Sequence, residues 1–240
     1  MEVAPTAHYS MGGIVVEPET HATEVVGLYA AGECTAGLHG ANRLGGNSLA
    51  ETIVFGKRAG TAAAAFSADS DIAIHPRRVV EEAGEELDAM IGSGPELARP
   101  LQRAVRNVMW ERGGVVRDDA GLRDGLSRLD EIGSVVADVD VRPSAEGWSD
   151  LAQLIDLRAG LLVAEATLRG ALARRESRGC HNRADFRDLD PALQVNFYNR
   201  LDDDERLVDP WREPVPPVRD ELRTWLDRTG PAVSTGRLLE

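Results

Sequence analysis

The chain has few of the residues that mark several large classes of protein. It has two cysteines in 240 residues, and Cys34 and Cys180 stand far apart and outside any CxxC pattern, so neither a disulfide framework nor an iron–sulfur cluster is indicated. Basic residues are scarce: 27 Lys and Arg oppose 40 Asp and Glu, and the net charge of −13 argues against binding to nucleic acid. No run approaches the roughly 20 apolar residues that cross a bilayer, so we expect a soluble chain.

The most informative stretch covers residues 14–66. Residues 27–31 are a short apolar run bounded by glycine, which predicts a buried strand, and residues 47–66 are rich in alanine and apolar side chains, which predicts a helix. The segment GANRLGGNS at 40–48 lies between them, and its three glycines let the backbone approach a flat ligand closely. The following helix start offers amide donors to an anionic or carbonyl-bearing group. This order of strand, glycine-rich turn and helix is typical of dinucleotide binding.

The remainder of the sequence predicts mainly helices. After a polar connection at 67–76, the spacing of apolar residues predicts helices over 77–91, 95–112, 118–138 and 149–175. Pro100 either kinks the second of these or marks a late start, Asp118 or Asp119 caps the third, and Ser149 caps the fourth. The fourth helix should be the central member of an antiparallel bundle. Further on, the pattern predicts strands at 195–198 and 207–208 and an extended segment at 210–217.

Four segments carry a resemblance to a known family: HYSMGG at 8–13, GLYAAGEC at 27–34, HGANRLGGNSL at 39–49 and RRESRGCHNRADF at 174–186. They resemble the flavoprotein subunit of succinate dehydrogenase and fumarate reductase. L-aspartate oxidase shares this architecture and is the nearest alternative. The resemblance covers only the later part of such a protein, because the GxGxxG turn, the capping domain and the proton-transferring arginine of the family have no counterpart in this sequence. We therefore expect a fragment that is inactive by itself.

The resemblance implies an α+β, mostly helical fold. Residues 1–66 would be the C-terminal part of an FAD-binding α/β domain, 67–94 a linker helix region, 95–187 an antiparallel helical bundle, and 188–240 an extended C-terminal tail with short β structure. It also implies FAD as cofactor, hydride transfer between flavin N5 and a C4 dicarboxylate, and a role in electron transport and the tricarboxylic acid cycle. An iron–sulfur subunit would be the partner. The chain would be cytoplasmic, or peripheral on the inner face of the cell membrane through its partner subunits.

The resemblance also implies roles for individual residues, although no catalytic residue or metal ligand is predicted. His8 and Arg43 would hold the substrate carboxylates, since a guanidinium matches a carboxylate in two parallel hydrogen bonds. Glu33 would accept hydrogen bonds from ribose hydroxyls, and the amides of Ser48 and Leu49 would face the pyrimidine edge of the flavin. The remaining cofactor-binding positions are Gly12, Gly13, Asn42, Gly45 and Gly46.

Without the resemblance, each of these residues has an ordinary structural interpretation. His8 would be a surface histidine, Arg43 a member of a structural salt bridge, Glu33 a turn acid, and Ser48 a helix N-cap. The arginines of RRESRGCH either complement the dipole at the end of the preceding helix or form a network that docks the helical lobe on the flavin lobe. A function of a different class also stays open, namely a non-catalytic module whose helical lobe docks an iron–sulfur subunit.

Overall fold

A computed structural model describes residues 8–70, 76–142 and 148–229, so part of the predicted connection, residues 71–75, lies outside it. The helices are α1 (Asn47–Asp69), α2 (Arg77–Ala89), α3 (Ala98–Arg112), α4 (Asp119–Ser134), α5 (Ser149–Ala173) and α6 (Asp220–Thr229). The strands are β1 (Val116–Arg117), β2 (Asn182–Arg183), β3 (Val195–Tyr198) and β4 (Trp211–Pro214). β1 pairs with β2 in parallel, and β3 pairs with β4 in antiparallel orientation. The predicted α+β, mostly helical class is confirmed.

The main hydrophobic core lies where α3, α4 and α5 pack on one another. Leu122 on α4 and Leu168 on α5 are completely inaccessible to solvent, and burying a leucine contributes about 1.5–3 kcal/mol. Gly125 allows the close approach of these two helices, because a Cβ there would lie 2.9 Å from Leu168 Cδ1 and 3.0 Å from Arg112 Cβ. The predicted helical bundle is therefore present, but α3, α4 and α5 each contact the other two, so α5 is not its single central member.

The helix ends show which capping predictions hold. α3 begins at Ala98, so Pro100 lies in its first turn, where no backbone N–H is needed, and the late start is confirmed. Asp118 caps α4, since its Oδ1 accepts a hydrogen bond from the Gly121 amide at 2.7 Å. The prediction for Ser149 was wrong: Ser149 is already helical, and Trp148 occupies the N-cap position without a side-chain hydrogen bond.

The C-terminal segment contains more regular structure than predicted. β3 lies where the sequence predicts it, but its partner is β4, not residues 207–208, which form only an isolated bridge between Leu201 and Leu207. The reason is a cross-strand aromatic pair, since the rings of Tyr198 and Trp211 stack with centroids 5.4 Å apart. The tail also includes helix α6, which the prediction of an extended tail with short β structure did not contain.

The predicted buried strand at 27–31 was also wrong. Tyr29 forms only an isolated bridge to Ala22, and Leu28 is 50% exposed. The apolar run therefore has neither a ladder of paired neighbours nor a covering layer among the described residues. Among all the residues that the structure describes, no helix is both long enough and apolar enough to span a membrane.

Candidate functional site

The first two motifs of the sequence lie side by side in the structure. The Ile14 amide donates to the Cys34 carbonyl oxygen at 2.8 Å, and the Ser10 amide donates to Glu33 Oε1, also at 2.8 Å. Gly13 is required by this approach, because a Cβ there would overlap the backbone of Cys34. The structure thus explains Gly13 by contact between chain segments, whereas the sequence predicts that it makes room for the cofactor. Glu33 is exposed, with one carboxylate oxygen held by the Ser10 amide.

A buried carboxylate joins three segments of this region. Glu51, on the second turn of α1, is only 2% exposed. Its Oε2 accepts hydrogen bonds from the Tyr9 hydroxyl and from His39 Nε2, the latter at 2.9 Å. Burial and the hydrogen bond to Glu51 raise the pKa of Tyr9 to about 12. Tyr9 therefore keeps its proton at ordinary pH and remains the donor in this group.

Sequence reasoning missed the group formed by Tyr9, His39 and Glu51. Two of its members lie inside the motifs that carry the family resemblance, and the third follows the last residue of HGANRLGGNSL by two positions. A signal was present, because Glu51 is the one acid in the helix 47–66, which is otherwise mainly alanine and apolar residues. If such an acid lies on the buried side of its helix, it needs a partner, because a charged side chain is almost never fully buried unless it is paired.

Arg43 lies against the first member of this group. Its guanidinium carbon is 4.6 Å from the centroid of the Tyr9 ring. Among the described residues, the guanidinium donates a hydrogen bond only to the Leu44 carbonyl oxygen, at 3.2 Å, and its buried Nε has no partner. A buried donor without an acceptor costs free energy, and an anionic ligand would satisfy it. The structural salt bridge considered for Arg43 is not present in this part of the chain.

The N-terminus of α1 also presents donors that have no acceptor among the described residues. Its N-cap is Gly46, with a left-handed φ of 85°, and no side chain caps the helix. The amides of Ser48 and Leu49 therefore have no intrahelical acceptor and no capping side chain. The N-cap interpretation of Ser48 was wrong, because Ser48 lies within the first turn. A Cβ at Gly12, Gly45 or Gly46 would meet no atom of the described chain segments within 4 Å, so these segments leave open space beside the three positions.

The remaining predicted site residues are less constrained. His8 and Asn42 are both exposed. The Asn42 amide donates to the His39 carbonyl oxygen at 3.3 Å, which forms part of the turn before Arg43. The structure therefore brings Arg43 into direct contact with the segment that contains His8, through Tyr9, and joins Glu33 to the same segment through Ser10. Their ligand-binding roles stay predictions.

This arrangement fits a bound FAD. The orphan Nε of Arg43, the uncapped start of α1 and the exposed carboxylate of Glu33 combine donors for an anionic or carbonyl edge with an acceptor for hydroxyl groups. The open space at Gly12, Gly45 and Gly46 leaves room for a planar group beside them. Each of these features belongs to the polypeptide itself. A bound ligand would supply the missing hydrogen-bond partners and fill the open space.

The RRESRGCH segment holds the helical bundle against the turn that carries Arg43. The Cys180 amide donates to the Ala41 carbonyl oxygen at 3.0 Å. Gly179 has φ 58°, and a Cβ there would overlap the same carbonyl oxygen. The docking interpretation of this segment is therefore supported, although the contact with the turn is made by backbone atoms and not by the arginine side chains.

The charged side chains of this segment fix its shape. Glu176 is fully buried and accepts hydrogen bonds from Arg174 Nη1 at 2.5 Å, Arg178 Nε at 2.7 Å and the Asp190 amide at 2.8 Å. Burial alone would raise the pKa of Glu176, but the hydrogen bonds from Arg178, the Asp190 amide and Arg174 outweigh it and hold that pKa below its usual value. The carboxylate is therefore ionised and structural.

His181 is buried as well. Arg117 Nη1 donates to His181 Nδ1 at 3.0 Å, and His181 Nε2 lies 3.1 Å from the Arg174 carbonyl oxygen. These partners require a neutral ring with its proton on Nε2. Burial, with the neighbouring charges of Arg117, Arg183 and Arg174, lowers the pKa of His181 to about 4. We therefore find no proton-transfer role for this histidine.

Comparisons with known proteins agree with these features. The family model described as fumarate reductase flavoprotein C-term matches residues 102–221, and the FAD binding domain model matches residues 1–49. The chain is 39% identical over 191 residues to one subunit of the fumarate reductase (CoM/CoB) of Methanothermobacter marburgensis, covering 80% of this chain and 35% of that protein. It is 37% identical over 208 residues to the L-aspartate oxidase of Mycobacterium leprae, covering 86% of this chain and 34% of that protein.

Among solved structures, Mycobacterium smegmatis Sdh1 in complex with UQ1 is similar, with a TM-score of 0.82 and 37% identity over 92% of this chain and 38% of that chain. The chain thus spans about a third of the length of the curated relatives it matches. The two family matches together cover the start of the chain and most of its helical part. On these matches and on the geometry above, the chain belongs to the flavoprotein family of fumarate reductase and succinate dehydrogenase.

Proposed function

We propose that these residues form part of an FAD-dependent oxidoreductase that interconverts succinate and fumarate. The observation that carries the proposal is Arg43, whose guanidinium stacks on Tyr9 and keeps a buried Nε without a partner among the described residues, close in sequence to the uncapped start of α1. When bound, FAD would supply flavin N5 for hydride exchange with a substrate carbon. The remaining tasks are to bind the substrate and the cofactor and to stabilise negative charge, and this chain offers residues for each of them.

Substrate binding is the task that we propose for Arg43 and His8. A guanidinium presents donors in a plane, and two of them match the two oxygens of a carboxylate. With a net charge of −13, the chain repels a dicarboxylate at long range, so local cations must supply the attraction. His8 is exposed and adjacent to Tyr9 in sequence, where a ring nitrogen would donate to a carboxylate.

Cofactor binding is the task that we propose for the neighbouring backbone. The amides of Ser48 and Leu49 would donate to the pyrimidine edge of the flavin, where negative charge grows on reduction. Their location at the positive end of a 23-residue helix favours that charge. Glu33 would accept from ribose hydroxyls. Asn42 and the open positions Gly12, Gly45 and Gly46 would border the ring, as would Gly13 through its own backbone.

An iron–sulfur subunit is the partner that we propose for the whole protein, with peripheral attachment to the inner face of the cell membrane through further subunits. The support is the relatives: one is named as a component of a multi-subunit fumarate reductase, and a similar solved structure is named quinol-fumarate reductase. A non-catalytic docking module is the competing hypothesis. Purification of the native protein with an iron–sulfur partner but without bound flavin would favour the module.

The decisive experiment uses the natural protein as its cell makes it, loaded with FAD, and measures succinate-dependent reduction of an artificial dye. Arg43→Lys should lose one charge-assisted hydrogen bond, worth about 1.5–3 kcal/mol, which raises KM for succinate by roughly 10- to 150-fold. The matched control is Arg77→Lys on α2, whose exposed guanidinium pairs only with Glu81 among the described residues. An unchanged KM in Arg43→Lys would contradict the proposal. Faster turnover of L-aspartate than of succinate would instead favour L-aspartate oxidase.

A further inference from the structure

The face of the Arg43 guanidinium is covered by an aromatic ring. The guanidinium carbon lies 4.6 Å from the Tyr9 centroid, within the range of a cation–π contact. Because the ring covers one face, the guanidinium can rotate out of its plane only by losing this contact. Its Nη1 donates in that plane to the Leu44 carbonyl oxygen at 3.2 Å. The plane of the donors is thus defined before any ligand arrives.

The Tyr9 ring is itself held in place by a hydrogen bond from its hydroxyl group. Its hydroxyl donates to Glu51 Oε2, and the same oxygen accepts from His39 Nε2 at 2.9 Å. The His39 ring meets the Tyr9 ring edge-on, with centroids 5.3 Å apart. Glu51 is 2% exposed and His39 has a side chain 10% exposed, so water does not compete for these hydrogen bonds. The anchor therefore joins the turn at His39 to the second turn of α1.

A fixed arginine binds a carboxylate better than a free one. Its long side chain loses rotamer freedom when it binds a ligand, and a contact that removes this freedom beforehand lowers the cost of binding. Both requirements for holding the arginine are present here: an aromatic ring stacked on the guanidinium, and a hydrogen bond to the buried Glu51 that holds this ring in place.

We propose that Tyr9 is a positioning residue that orients the Arg43 guanidinium for a carboxylate, with Glu51 and His39 as its anchor. The inference rests on the proposed function, since that function assigns Arg43 to the substrate. It adds a division of labour within the motif HYSMGG: the histidine contacts the ligand, and the tyrosine orders the arginine of another motif.

The test compares Tyr9→Leu, which removes the ring, with Tyr9→Phe, which keeps the ring and removes the anchor, in the natural FAD-loaded protein. The matched control is Tyr29→Leu, because the Tyr29 ring packs on Phe66 near the far end of α1, roughly 29 Å from its start at 1.5 Å per residue. Four quantities are measured: the dissociation constant of malonate, KM for succinate, kcat for succinate, and the rate of hydrogen exchange of the amides at 39–46. Thermal melting and flavin content verify the fold of each variant.

We expect Tyr9→Leu to raise the malonate dissociation constant and the succinate KM about tenfold, while kcat at saturation stays within about twofold. Tyr9→Phe should raise both constants about threefold, and Tyr29→Leu should leave them unchanged. Exchange at 39–46 should quicken in Tyr9→Leu only.

The inference would be overturned if Tyr9→Leu bound malonate as tightly as the wild-type protein does. It would also be overturned if Tyr9→Phe lost as much malonate affinity as Tyr9→Leu. If the wild-type protein binds no malonate and oxidises no succinate, the proposed function fails. The exchange measurement still decides in that case whether Tyr9 orders the turn, because it needs no substrate.

Discussion

Replacing Glu176 with glutamine should destabilise the helical domain strongly. The side chain is fully buried, and two guanidinium groups and one backbone amide converge on its carboxylate. Glutamine preserves the shape but removes the negative charge, which leaves the partly buried guanidinium groups of Arg174 and Arg178 without this counter-ion. Breaking a buried ion pair from one side costs about 3–5 kcal/mol, and we expect the lower end, about 3 kcal/mol, because both arginines remain partly exposed.

The assay is urea unfolding of the protein followed by circular dichroism, with thermal melting as a second measure. A loss of about 3 kcal/mol should lower the melting temperature by roughly 6–12 °C in a chain of 240 residues. The matched control is Glu81→Gln on α2, which breaks an exposed pair with Arg77 and should cost less than about 0.5 kcal/mol. A loss below about 1 kcal/mol in Glu176→Gln would refute the assignment of this residue as the buried centre of the loop.

The pH dependence of the same comparison follows from the lowered pKa of Glu176. A carboxylate whose folded pKa is depressed stabilises the fold above its unfolded pKa, and this contribution is lost as the pH falls through the folded pKa. The difference between the wild-type protein and Glu176→Gln should therefore be complete above the usual pKa of 4.5 and shrink below it. A difference that grows toward acid pH would contradict the assignment of an ionised Glu176.

Three further substitutions probe separate contacts. Gly179→Ala should speed hydrogen exchange of the Cys180 amide, because the new Cβ would overlap the Ala41 carbonyl oxygen; an unchanged rate would show that the loop does not need this approach. Leu168→Ala should cost about 3–5 kcal/mol in urea unfolding, since the side chain is wholly buried between α4 and α5, and a cost under about 1 kcal/mol would place it outside the core. Asp118→Ala should cost about 1 kcal/mol through loss of the α4 cap, with Asp118→Asn, which keeps the acceptor, as the control.

The helical part of the fold could be predicted because its cause is local and repetitive. The apolar spacing in α4 and α5 places leucines on one face, and that face becomes the core. The strands at the C-terminus could not be paired from sequence, since the stacking of Tyr198 on Trp211 depends on tertiary contact across an intervening loop. The run at 27–31 has the composition of a strand, but a strand also needs a neighbour, and only Ala22 pairs with it among the described residues.

The candidate site, too, could be predicted from the sequence only in part. The motif pattern points to Arg43 and to the helix start at Ser48, and the structure finds unpartnered donors at both positions within the described part of the chain. The pattern could not show that the Tyr9 ring supports the guanidinium or that Glu51 is buried beneath that ring, because those contacts join residues up to 42 positions apart. Side-chain position across such separations is decided by packing.

The short parallel pair of β1 and β2 bears on the order in which the domain folds. It joins Val116 to Asn182, and the adjoining contact between the Asp119 amide and Asp185 spans 66 positions. Helices α4 and α5 lie inside the loop that this pair closes. The entropic cost of closing the loop is therefore offset only after the two helices have docked. The Ala184 amide, which donates to the Arg117 carbonyl oxygen at 2.8 Å, should therefore be among the last to gain protection in pulse-labelled refolding, after the amides of α4 and α5.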